Sequence, residues 1–88
     1  MDLETILSKT PDAAYRIYDG EATIVLPSKA EVTVLNPVAS LVWDAIDGRR
    51  TLAEILESVL RDYDVPRDQA MHDLIEFVKT LREQGMVN

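Results

Sequence analysis

Few residues in this chain are suited to chemistry. One histidine, His72, falls in a helical stretch between Met71 and Asp73, on the side expected to face solvent. General acid–base work needs an oriented partner and a nucleophile within reach, and a transition metal needs a second His or a Cys; the chain has no cysteine. Carboxylates are abundant, but Asp44 with Asp47 and Glu54 with Glu57 fall on helix surfaces or ends, where acids serve solubility and pair with the helix dipole. Three isolated glycines make no phosphate-cradling loop, and no serine sits in a G-x-S-x-G turn. The inventory predicts no catalytic residue, no metal and no cofactor, and so a non-enzyme.

Charge narrows the partners. Sixteen Asp and Glu against nine Lys and Arg give a net charge of -7, a field that repels phosphate backbones and anionic lipid and steers basic segments inward. A DNA-reading winged helix needs a cationic recognition helix, whereas the last helical stretch sets Arg67, Lys79 and Arg82 against Asp68, Asp73, Glu76 and Glu83. Arg49-Arg50 reads as a solvated turn. Nucleic acid and membrane are therefore not expected partners. With no cysteine, no signal-like N-terminus and no apolar run of spanning length, the expected setting is the cytoplasm.

The 88 residues suffice for one core, expected over residues 14–88 behind a flexible arm of residues 1–13 that carries Leu3, Ile6 and Leu7 at helical spacing. From Ala14 the apolar period is two, with Tyr15 and Ile17 on one strand face. Asp19-Gly20 supplies a type I′ hairpin turn, Glu21 to Leu26 the return strand, and Lys29 to Leu35 a third strand after the Pro27-Ser28 break. Asn36-Pro37 then caps a helix, Gly48 stops it, and Thr51-Leu52-Ala53-Glu54 forms a capping box for a second helix through Tyr63. A third runs from about Pro66 to Gly85, after which Met86-Val87 folds back as an apolar plug. The predicted fold class is α+β: a three-stranded antiparallel meander followed by three helices, winged helix-turn-helix-like in order.

On the third helix Ala70, Leu74, Phe77, Val78 and Leu81 share a sector of about 100°, Met71 and Ile75 lie beyond its edge, and Lys79 and Arg82 continue round it. Met71 and Ile75 either finish the core or wall a groove. An outer strand presents unpaired N–H and C=O groups, so a guest peptide can add beside the third strand, with Lys29 and Glu31 readable equally as guards against unwanted pairing.

From Tyr15 to Val87 the chain resembles the PqqD family. The resemblance rests on Asp19-Gly20-Glu21, Val34-Leu35-Asn36-Pro37, Val42-Trp43, Ile46-Asp47-Gly48-Arg49-Arg50-Thr51, Glu54-Ile55, Tyr63-Asp64-Val65, Asp73-Leu74 and Leu81 to Val87 with Gly85. It implies a leader-peptide recognition module that captures a ribosomally made precursor peptide and presents it to a modifying enzyme, often a radical SAM maturase. The implied peptide site is the third strand with the third helix: Lys29, Glu31, Val32, Thr33, Val34 and Leu35, with Met71, Ile75, Lys79 and Arg82. Two other readings are a winged-helix DNA-binding regulator and a dimerisation module docking through Leu3, Ile6 and Leu7. The expected state is a monomer or homodimer.

Overall fold

The computed structural model describes all 88 residues. Three strands, β1 (Ala14–Tyr18), β2 (Glu21–Leu26) and β3 (Glu31–Val34), precede three helices, α1 (Pro37–Ala45), α2 (Leu52–Asp62) and α3 (Arg67–Glu83). The sheet is antiparallel in the order β1-β2-β3. Both turn residues of the β1–β2 hairpin have positive φ, 54° at Asp19 and 80° at Gly20, the type I′ geometry that matches strand twist. A 3-10 turn, Pro27–Lys29, joins β2 to β3, so the third strand starts at Glu31 rather than Lys29.

Alternation decides which sheet face is buried. Ala22, Ile24 and Leu26 of β2 enter the core, while Thr23 and Val25 face out. Trp43 and Ile46 from α1 and the turn after it, the Leu52-Ile55-Leu56-Val59 stripe of α2, and Ala70, Leu74, Val78 and Leu81 of α3 close over that inner face. Ser40 of α1 is the one buried polar side chain. Its hydroxyl accepts from the Ala22 N–H at 2.7 Å and donates to the Leu35 carbonyl at 3.2 Å, so it stands where β2 and β3 would otherwise bond each other. After α3, Gly85 (φ 75°) reverses the chain and sends Met86 and Val87 into the core, as expected of the plug.

Residues 3–10, expected outside the folded part, are bonded into it, with a turn at Leu3-Glu4, extended chain after it and no helix at Leu3, Ile6 and Leu7. Leu7 is a core residue. The carbonyls of Thr5 and Leu3 accept from the Leu52 and Ala53 N–H groups, both at 2.9 Å, while Thr10 N–H donates to Met86 O at 2.9 Å. The Lys9 ammonium donates to Ile46 O and lies over the rings of Tyr15 (5.0 Å) and Trp43 (5.2 Å). Partial burial holds its pKa below the ordinary lysine value, against the opposing pull of Asp44 and Asp47. No helix is long and apolar enough to cross a membrane.

Candidate functional site

The two edges of β3 differ. On the β2 side, the Leu35 N–H donates to Ala22 O at 2.8 Å, in register with the Ile24–Thr33 and Leu26–Glu31 partners. Because an antiparallel ladder alternates its bonding residues, the N–H and C=O groups of Val32 and Val34 point to the other side. That side has no strand, and no loop or turn backbone hydrogen bond reaches residues 31–34. The arm, whose bonds go to the start of α2 and to the stretch after α3, leaves it uncovered.

Helix α3 runs beside this edge in the opposite direction. At the start of β3, Lys29 Nζ donates to Gln84 O at 2.7 Å, which pins the β2–β3 turn to the C-terminal end of the helix. At the other end, Asn36 joins Gln69, Asp73 and Phe77 of α3 around an apolar cavity of about 470 Å³, floored by Val42 and Tyr63 and rimmed by Val38. Val38 stands 38% exposed at this rim. Asn36 Oδ1 is occupied in capping α1, accepting from Ala39 N–H at 2.8 Å, and Asp73 Oδ1 accepts from Gln69 Nε2 at 2.9 Å.

The expected site residues divide into two groups. Glu31, Val32, Thr33 and Val34 form the edge strand, and Lys29 fastens its start. Leu35 offers the open edge neither its side chain, which is in the core, nor its main-chain groups, which are bonded to Ala22 and Ser40. On α3, Met71, Ile75, Lys79 and Arg82 lie roughly 120–180° round the helix from Asp73 and Phe77, the residues that share a cavity wall with Asn36 and Val38. Met71 and Ile75 are half-buried against the core, and Arg82 Nε donates to Asn88 O at 3.3 Å. The flank with Gln69, Asp73 and Phe77 shares the cavity with Asn36, just past the end of β3, and none of residues 31–34 lines it. Its only sequence signal was a large aromatic residue at the rim of the core sector, with acids next round the helix. His72 is exposed, and no group of three or more His, Asp or Glu side chains stands close enough to hold a metal ion.

The sequence model of the family described as Coenzyme PQQ synthesis protein D (PqqD) matches residues 21–87. The chain belongs to the PqqD family. Two solved structures share the fold of this PqqD-family chain. TbiB1, solved in complex with the TbiA(beta) leader peptide, superposes with a TM-score of 0.85 at 18% identity, covering 92% of this chain and 94% of that one. A lasso peptide synthetase B1 complexed with the leader peptide gives a TM-score of 0.84 at 21% identity, over 96% and 99% of the two chains. The expected α+β order of three antiparallel strands and three helices is thus the PqqD-family fold. A comparison with curated protein sequences finds no match.

Proposed function

We propose that this protein is a leader-peptide recognition module: it takes an extended segment of a ribosomally made precursor peptide as a fourth strand beside β3 and presents it to a separate modifying enzyme. The observation that carries this reading is the uncovered edge of β3, where the N–H and C=O groups of Val32 and Val34 point outward and α3 runs alongside. Main-chain hydrogen bonds to those groups hold the guest in any sequence, and its alternate side chains supply specificity. Guest residues pointing inward meet α3, and at the Asn36 end the apolar cavity accepts one of them past Val38 and Phe77. The relatives solved with leader peptides share this fold, which supports the reading.

Catalysis in this scheme belongs to the partner, a radical SAM maturase being the type of enzyme the family resemblance suggests. The module acts by raising the effective concentration of the peptide at that enzyme, in the cytoplasm, where such peptides are made. The peptide contacts proposed are the backbone of Val32 and Val34, the side chains of Glu31 and Thr33 at the strand edge, and Asp73 and Phe77 on α3. Lys29 sets the spacing of strand and helix. Titration of ¹⁵N-labelled protein with the leader segment of its precursor tests the reading. The largest amide shifts are expected at Val32, Val34, Asp73 and Phe77; shifts confined to Met71, Ile75 and the arm would place the guest on the other flank of α3 and overturn it.

A further inference from the structure

The outer face of the sheet has an unusual edge. Two rows of its side chains cross all three strands: Ala14, Val25 and Val32 in one, and Arg16, Thr23 and Val34 in the next. Both rows end at the open side on a valine, 66% exposed at Val32 and 63% at Val34, and no element covers this face. Edge strands are ordinarily protected by charged side chains. Here Glu31 and Lys29 stand before the valines, and Lys29 is engaged with Gln84. The two residues whose main-chain groups point outward thus also carry exposed apolar side chains on the outer face.

We infer that Val32 and Val34 select the guest strand by its outward side chains, requiring β-branched or aromatic residues at two guest positions separated by one residue. This rests on the docking reading above and adds to it a second recognition face, opposite the α3 trough. In an antiparallel or parallel addition, a guest residue beside Val32 on the outer face continues the Ala14–Val25–Val32 row, and the one two residues away continues the Arg16–Thr23–Val34 row. Neighbouring side chains on one sheet face stand about 5 Å apart, close enough for apolar and aromatic pairs to stabilise the pairing and for opposite charges to do the same. The inward guest residues meet a wall of fixed shape; the outward ones meet only these valines and water. A guest with charged residues at the outward positions leaves both valines without an apolar neighbour, and one with Val, Ile, Thr, Tyr or Phe buries them.

Selection from a displayed library of random linear peptides tests this and does not require the precursor itself. Wild-type protein is expected to enrich β-branched or aromatic residues at two positions separated by one residue. The double variant Val32→Lys, Val34→Lys is expected to switch those same positions to Asp or Glu, while Val25→Lys, one strand further from the guest, leaves the wild-type consensus unchanged. These side chains are solvent-exposed, so circular dichroism is expected to match wild type; if the Lys variant is unfolded, Val32→Thr, Val34→Thr carries the test through a several-fold loss of the apolar preference. A consensus that is the same for wild type and both double variants overturns the outer-face selection and leaves strand docking standing. No consensus from any of the proteins, with no β3 amide shifted by the pooled peptides, overturns the docking reading as well.

Discussion

Ser40 shows how much one hydroxyl decides here. It accepts from one strand and donates to the other at the place where β2 and β3 separate, and it is 3% exposed. Replacing it by alanine leaves the Ala22 N–H buried and unpaired, a loss of about 1–3 kcal/mol, expected as a lower urea midpoint with an unchanged slope. Asp47 works in the open. Its Oδ1 accepts from the Arg49 and Arg50 N–H groups, both at 2.9 Å, and these bonds hold its carboxyl below the usual aspartate range. A depressed folded-state pKa means that the stabilisation is fully present above the unfolded value, about 3.9, and is lost as pH falls through the folded one. Asp47→Ala is therefore expected to melt earlier than wild type at neutral pH, with the gap narrowing as the pH drops below about 4. Parallel thermal melts across that range check it, and a gap independent of pH would contradict the assignment.

At the scale of elements, the start of α2 accounts for all its leading N–H groups. Thr51 N–H donates to Glu54 Oε1 and Glu54 N–H to Thr51 Oγ1, the reciprocal box read from the sequence. Leu52 and Ala53 instead use the carbonyls of Thr5 and Leu3. The N-terminal stretch is thus the third part of this cap, and Leu7 anchors it at 2% exposure. Leu7→Ala is expected to cost about 2–5 kcal/mol, far more than removal of the Thr51 cap at about 1 kcal/mol; equal losses by chemical denaturation would mean that the stretch only rests on the surface. The strands, the hairpin turn and the box were legible because each is a local pattern. The arm was not: Leu3, Ile6 and Leu7 fit helical spacing, yet an extended run that buries Leu7 and leaves Ile6 49% exposed satisfies the same letters. Nor was the flank of α3 that lines the cavity with Asn36. Periodicity fixes the angles between residues on one helix, whereas the flank turned to a given neighbour is set by contacts such as Lys29 with Gln84, 55 residues apart.

For the molecule as a whole, the sheet is open along its β3 edge. Hydrogen exchange should read this directly. The Val32 and Val34 amides are expected to exchange at rates near those of an unfolded chain, while Thr33 and Leu35 between and beside them are protected by the ladder. A bound guest strand should slow the first pair most. Binding also adds to overall stability in proportion to ligand excess, by about 2.7 kcal/mol at a hundredfold over Kd, a large increment for a domain of this size. Slow exchange at Val32 and Val34 in the free protein would show that the edge is already closed.

The chain has one tryptophan. Trp43 is fully enclosed, its indole N–H without an acceptor, its ring 5.5 Å edge-on from Tyr15 and beside the Lys9 ammonium. Tyr15 belongs to β1, across the full width of the sheet from β3. Emission from Trp43 alone therefore registers melting of the interior and passes over an event at the far border. A spectroscopist who followed only that fluorophore would find a well-behaved denaturation curve and a flat titration, so a dye or isotope placed on the remote margin is needed to see a visitor arrive.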